Sequence, residues 1–406
     1  MNIIEGGICA PKGFKASGIH CGIRAGRTKR DLSLILSEKK CATAAVFTKN
    51  IVKGAPIIVT KKNIADGYAQ AVICNSGNAN TCNSNGIEIA EGMCELVSSK
   101  LGIPATDVVV ASTGVIGEKM TLDPIAAGMD ELVAALSDAK DASSIAAEGI
   151  MTTDTRLKEI AVEFEIGGKT CRLGAIAKGS GMIHPNMATM LSFITCDADI
   201  APELLQKALS EDIVDTFNMV SVDRDTSTND TVCIMCNGMA GNEKITSEGA
   251  DYDTFCEALH TATLYISKNI ARDGEGASKL LECNITGAKD KATARVLAKA
   301  IICSSLVKAA MFGADANWGR EMCALGYSGA EFDINKVSID FVSSAGKVHV
   351  CENGYGVGFS EDTAAKVLAE DSIQINIALG DGDAFATAWG CDLTYEYVKI
   401  NGDYRT

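Results

Sequence analysis

Between Lys178 and Phe193 the chain reads KGSGMIHPNMATMLSF, and no other stretch restricts it so strongly. It opens as a glycine-broken loop and closes as an apolar run, Met190 to Cys196, that reads as a buried strand. Gly179 and Gly181 permit backbone conformations closed to other residues, while Pro185 fixes its own φ and restricts His184 before it. Thr189 sits at the seam between loop and strand. A small nucleophile at the first residue of a core strand, behind an unusual turn, is what a self-cleaving N-terminal nucleophile requires. A plain loop whose threonine hydroxyl bonds to nearby backbone fits the same residues, so the segment alone leaves both readings open.

The rest of the chain bounds the class of protein that carries this segment. Its 406 residues suffice for two or three domains with a sizeable core. Hydrophobic content of 47% and charged content of 22% are near globular averages, so an ordered chain is expected. A net charge of −15 and a pI near 4.8 argue against a nucleic-acid backbone or an anionic membrane surface as partner. An acidic small substrate remains open, because a site needs only one or two local cations. No uninterrupted apolar window reaches about 18 residues, so no transmembrane helix is expected. The N-terminal MNIIEGGICAPKGF lacks the basic-then-apolar layout of a signal, and a cytoplasmic location is expected. The 16 cysteines are scattered through apolar runs, as at Cys94, Cys256 and Cys303, and read as reduced, buried small hydrophobes. The Cys233–Cys236 pair lies in TVCIMCNG, which reads as a strand; residues three apart there face opposite ways and cannot share a metal. With only His20, His184, His260 and His349, no metal site is expected.

Residues up to about 60 read as short strands. Asn75 to Gly86, NSGNANTCNSNG, is dense in turn formers and is either a surface turn or a loop near an active centre. Ile89, Met93, Leu96 and Val97 share a helical face that ends at Gly102. Val108 to Ala111 reads as a buried strand ending in Ser112-Thr113-Gly114. A threonine hydroxyl beside a glycine N–H supplies two donors for an oxyanion, although such turns are common. A helix follows with Asp123 as N-cap, Pro124 at its first position, and Ile125, Met129, Leu132, Val133 and Leu136 as its stripe. Another helical stretch, near Ser144 to Met151, runs into TTDT. Ile160, Val162, Phe164 and Ile166 alternate on a strand, Gly167-Gly168 turns it, and the return strand Cys171 to Ala177 delivers Lys178. A helix near Pro202 to Asp212 precedes SVDRDTSTNDTVCIMCNG, whose acidic loop lacks the spacing of an EF-hand. A helix carrying Phe255, Leu259, Ala262 and Ile266 leads to ARDGEGASK, where Glu275 lies between two glycines. From Leu280 the pattern gives a strand, a long helix, strands at Phe332 to Phe341 and Lys347 to Cys351, a helix near Asp362 to Leu368, and a strand at Ile373 to Leu379. The tail CDLTYEYVKINGDYRT is too apolar and strand-like for a frayed end.

KGSGMIHPNMATML closely resembles the signature around the self-processing site of the ornithine acetyltransferase family. Those enzymes of arginine biosynthesis make N-acetylglutamate from N-acetylornithine. GGICAPKGFKASGIHCGIR, CATAAVFTKNIVKGAP, DTSTNDT and the Asp-Ala-Asn-Trp-Gly-Arg run from Asp315 extend the match along the chain to Thr406. Arg224 stands where that family has Gly, which puts the local turn geometry in question, and Ala316 stands where Pro is usual. The resemblance implies cleavage between Ala188 and Thr189, with the new N-terminal Thr189 carrying the acetyl group. It implies Thr113 and Gly114 as the oxyanion hole, and Thr152, Lys178, Thr189, Glu275, Asn401 and Thr406 as substrate contacts. Lys178 would bind the substrate carboxylate and Glu275 the amino group.

The expected function is acetyl transfer from N-acetylornithine to glutamate by a ping-pong mechanism, with no cofactor. Some members of the family also accept acetyl-coenzyme A as donor. The resemblance implies an α/β fold, a layered αββα-like sandwich similar to self-processing N-terminal-nucleophile enzymes, assembled from two α and two β chains. The expected organisation is a catalytic core over 1–280, a second α/β unit over 281–390, and a tail over 391–406 that returns to the active site. The competing reading is a hydrolase of the same self-processing type, distinguished by whether water or glutamate takes the acetyl group. A phosphate-cradling binding protein lacks GxxxxGK[ST] or a strand-anchored GxGxxG.

Overall fold

The computed structural model describes residues 1–24, 26, 28–184 and 190–403. The chain divides into two units: the described residues of 1–179, 186–217 and 226–266, and those of 180–185, 218–225 and 267–406.

The strands of the first unit are β1 (Asn2–Ile4), β2 (Phe14–Ile19), β3 (Leu32–Phe47), β4 (Tyr68–Asn75), β5 (Val108–Ser112), β6 (Lys158–Ile166), β7 (Lys169–Lys178), β8 (Leu191–Cys196) and β9 (Thr231–Cys236). They form one sheet in the order β1-β6-β7-β8-β9-β3-β4-β5, with β2 paired to β3. Its helices are α1 (Ala55–Asn63), α2 (Gly86–Leu101), α3 (Asp123–Ala134), α4 (Lys140–Ile150), α5 (Pro202–Asp212) and α6 (Ala250–Arg272), whose last residues belong to the second unit.

The two-residue periodicity sorts side chains to the two faces of the sheet. Val72, Cys74, Val109 and Ala111 pack with Ala142, Ala146 and Ile150 of α4. Ala71, Ile73, Val108 and Val110 pack with Val59, Met93 and Met129 from α1, α2 and α3. Burying one such aliphatic side chain contributes about 1.5–3 kcal/mol. The expected Gly167-Gly168 hairpin is present; both glycines have positive φ (+55° and +72°), as a two-residue turn between twisted strands requires. Strand β3 shifts register against β4 between Leu36 and Cys41; Leu32 to Ser37 pair with β2, and Ala42 to Phe47 pair with β9.

The second unit has β10 (Leu280–Ala288), β11 (Ser338–Ser343), β12 (Gly346–Glu352), β13 (Ser372–Ala378) and β14 (Ala384–Cys391), with two-residue strands at Tyr355–Gly356 and Val220–Ser221. The sheet runs Tyr355–Gly356, β12, β11, β13, β10, β14, Val220–Ser221. Its helices are α7 (Lys291–Cys303), α8 (Ser305–Phe312), α9 (Trp318–Gly326), α10 (Glu361–Leu368) and α11 (Tyr395–Gly402). Helix α7 lies against β10 and β14, and α10 against β11 and β12. The class is mixed α/β with two sheets, and no described helix is long and apolar enough to cross a membrane.

Local expectations differ from the structure at several places; the region up to residue 60, read as short strands, holds the 16-residue β3 and the start of helix α1. Asp123 is the first residue of α3, and Leu122 precedes it without a side-chain cap. Helix α4 starts at Lys140, earlier than Ser144. The strand expected from Phe332 begins only at Ser338, because Asp333 caps a short 3-10 turn by accepting the Asn335 N–H at 3.0 Å. The tail is a helix, α11, where alternating apolar residues suggested a strand. Its contacts recur at helical spacing: Tyr397 and Asn401, four apart, both make hydrogen bonds within the second unit.

Candidate active site

Strand β5 ends in the Ser112-Thr113-Gly114 turn, which the turn-dense Asn75 loop supports. Ser112 Oγ donates to Asn75 Oδ1 at 2.6 Å, and Thr113 N–H donates to the Asn75 carbonyl at 3.0 Å. Gly114 has φ +132°, and a Cβ there would lie 2.3 Å from the Gly77 carbonyl carbon, so only glycine fits. Beyond it, Ala79 N–H donates to Val115 O at 2.9 Å and Gly117 N–H to Thr81 O at 3.0 Å. Asn75, Asn78, Asn80 and Thr81 are buried, so this segment is a scaffold for the turn and not a surface excursion.

Lys178 is the last residue of β7 and pairs with Leu191, the first residue of β8. It is only 8% exposed, and its charge acts on two buried carboxyls, Asp154 and Asp230. The residue that organises its surroundings is Asp154, which the sequence did not single out. Asp154 pairs with Lys158 at 2.8 Å, and both side chains are fully buried. Its carboxylate also accepts the N–H of Thr152 at 3.1 Å and of Gly179 at 2.7 Å. One carboxylate thus places two of the expected substrate contacts, Thr152 and the end of β7. Burial alone would raise the Asp154 carboxyl, but Lys178, Lys158 and the Gly179 N–H outweigh it and hold it at about 2. Asp230 is also buried beside the charge of Lys178, yet burial dominates there and pushes its carboxyl well above the usual range.

The second unit holds Glu275 and Asn401. The Glu275 N–H donates to Ser180 O at 2.9 Å, and Asn401 Nδ2 donates to Glu275 Oε2 at 2.7 Å. The Glu275 carboxylate lies flat against Gly181: a Cβ at 181 would sit 2.3 Å from its Cδ. Asp223 fixes the next residues by accepting the N–H groups of Met182 at 2.6 Å and Ile183 at 2.8 Å, and Tyr397 OH donates to it at 3.2 Å. Helix α11 is further tied to this seat by Thr394 Oγ1, which donates to Gly276 O at 2.7 Å. His184 shares a hydrogen bond with Ser221 Oγ at 3.1 Å; burial, then Lys299 and Arg224, push it down to about 4, so it is neutral at neutral pH. Arg224 itself has φ +69°, the left-handed region that glycine favours. Ala316 accepts the Trp318 N–H at 2.9 Å with its carbonyl, a bond that a proline there would also make.

Thr113, Gly114, Thr152 and Lys178 therefore belong to the first unit, and Glu275 and Asn401 to the second. Ala188, Thr189 and Thr406 lie outside the described residues.

A family profile described as ArgJ matches residues 15–406. This chain belongs to the ArgJ family. It is 51% identical over 394 residues to the arginine biosynthesis bifunctional protein ArgJ 1 of Clostridium acetobutylicum, covering 97% of this chain and 96% of that protein. It is 50% identical over 407 residues to the ArgJ protein of Caldanaerobacter subterraneus, with each chain covered in full. A crystal structure of ArgJ from Bacillus halodurans is 47% identical and superposes with a TM-score of 0.50; it covers 53% of this chain and 99% of its own. The ArgJ assignment rests on these matches along the whole chain. The supporting residues Asp154 and Asp223 were not identified from sequence. The cue available for Asp154 was its place in TTDT, and for Asp223 the hydroxyl-rich run SVDRDTSTNDT.

Proposed function

We propose that this ArgJ protein moves an acetyl group from N-acetylornithine to glutamate through an acetyl-Thr189 intermediate. In the precursor, Thr189 Oγ attacks the Ala188 carbonyl and the resulting ester is hydrolysed. The α-amino group so freed has an ordinary pKa of about 8, suited to a general base. Thr189 then attacks the acetyl carbonyl of N-acetylornithine, and Thr113 and Gly114 stabilise the tetrahedral oxyanion. Ornithine departs, glutamate enters, and its amine takes the acetyl group. Lys178 pairs with the α-carboxylate common to both substrates and Glu275 with the amine-bearing end, with Thr152, Asn401 and Thr406 completing the contacts. Acetyl-coenzyme A as a second donor, an assembly of two α and two β chains, and a cytoplasmic location belong to the same proposal.

The observation that carries this reading is Lys178. A nearly buried ammonium at a strand end, with its charge acting on Asp154 and Asp230, has N–H donors suited to the carboxylate of an amino-acid substrate. It lies at the strand end beside Leu191, two residues beyond Thr189.

The test is the intact mass of denatured protein beside Thr189→Ala, followed by an acetyl-transfer assay. Two chains split between 188 and 189, an uncut variant, and acetylated glutamate are the expected results. A single uncut chain that still transfers acetyl groups sinks the free-amine base. Acetate released to water in place of acetylglutamate favours the hydrolase.

A further inference from the structure

The Asn75–Thr81 loop is held from a second side, by a residue far away in the sequence. Asn229 Nδ2 donates to the Ala79 carbonyl at 2.9 Å and to Thr81 Oγ1 at 2.9 Å. The Ala79 carbonyl can only accept, which fixes which end of the carboxamide faces it. Ala79 and Thr81 are the residues whose backbone bonds bracket Val115 and Gly117, immediately after Gly114. Two residues beyond Asn229, Thr231 N–H donates to Met190 O at 2.9 Å, and Met190 follows Thr189 in the chain. The carboxamide is buried, and its Oδ1 lies over Gly54, where a Cβ would be 1.7 Å away. No larger residue at 54 leaves that side chain in place.

We propose that Asn229 is a positioning residue: it ties the Thr113–Gly114 turn, through Ala79 and Thr81, to the segment that pairs with the start of the nucleophile strand. The inference rests on the functional reading above. Oxyanion stabilisation depends on where the donors stand relative to the attacking hydroxyl, so a misplacement of about 1 Å costs on the order of 100-fold in rate. A bond that spans both segments sets that spacing without touching substrate.

The experiment measures kcat, KM for N-acetylornithine and the self-cleavage rate for Asn229→Ala, Asn229→Asp, Thr81→Val, Thr113→Ala and the Asn229→Ala/Thr113→Ala double variant. Rates are normalised to the cleaved fraction, and melting is followed by circular dichroism. Asn229→Ala and Asn229→Asp are expected to lower kcat about 30–100-fold, with KM within about twofold, because both lose the N–H donors. Thr81→Val, which severs one of the two bonds and serves if the Asn229 variants do not fold, is expected to lower kcat about three- to tenfold. On the Thr113→Ala background, Asn229→Ala is expected to cost less than about threefold more, since the donor it positions is gone. A full extra loss on that background, a loss carried by KM, or wild-type rates in Asn229→Asp overturns the proposal. A wild type that is cut but acetylates no glutamate sinks the functional reading alone, because the cleavage rate still reports on Asn229.

Discussion

Asp154 in the first unit and Glu321 in the second are both carboxylates shut away from solvent. Asp154 has the Lys158 ammonium at 2.8 Å, two backbone N–H donors and the charge of Lys178. Glu321, on α9, has no hydrogen-bond partner for either carboxylate oxygen among the described residues. Burial pushes Glu321 up to about 8, with its own N–H and Arg320 opposing and Asp315 adding to the rise. The same desolvation acts on both; the nearby lysine charges, with the donors they and the backbone bring, decide which way each carboxyl moves. The buried acid of the first unit is kept ionised and organises two backbone segments, whereas the one on α9 stays protonated at neutral pH.

The largest expected effect tests the ionic side of this contrast. Asp154→Asn leaves Lys158 buried without its counter-charge and is expected to cost about 3–5 kcal/mol in denaturant unfolding. The folded-state carboxyl lies below its unfolded value, so its stabilisation is present above about pH 4 and is lost as pH falls toward 2. Wild type should therefore lose stability over that window, and the variant should be flatter there; equal slopes break the comparison.

Glu321 has the opposite sign. Its folded carboxyl lies above its unfolded value near 4.3, so the native state holds the extra proton. Stability is expected to fall from about pH 5 to about pH 8, by an amount on the order of a few kcal/mol, and then level off. Glu321→Gln, followed by urea unfolding at several pH values, should remove that slope. A slope unchanged in the variant means that the carboxylate finds donors on ionisation.

A smaller effect separates the two cations around Asp154. Lys178→Met removes a charge that helps hold Asp154 low, so the acid transition should move up by about one pH unit. The variant should also raise KM for both substrates, because both carry the α-carboxylate. The smallest effect involves backbone alone: Arg224→Gly relieves a left-handed φ of +69° and is expected to stabilise by about 1 kcal/mol, with neither carboxylate touched. A thermal melt in which that variant is destabilised would show that the Arg224 side chain outweighs its backbone strain.

The legible parts of this chain were those whose signal is local. The β6–β7 hairpin announced itself by alternating Ile160, Val162, Phe164 and Ile166 before two glycines, and the structure gives strand, turn and strand there. Helix α5 matches its expected limits, Pro202 to Asp212, because a proline opens it and an amphipathic stripe runs through it. The tail was misjudged because alternation over a few residues does not distinguish a strand from a helix whose Tyr397 and Asn401 find partners at the second unit's Asp223 and Glu275.

Sequence alone determined the family, the β6–β7 hairpin and the strand that delivers Lys178. Local spacing, backbone freedom and motif carry all of these. Only the tertiary structure decided that Asp154 gathers Thr152 and Gly179, that the asparagine-rich segment is a buried scaffold, and that Asn229 grips it from 150 positions away. Such bonds join segments remote in the chain, and hydrogen-bonding groups carry no record of their partner until folding removes water and leaves each donor one acceptor within reach.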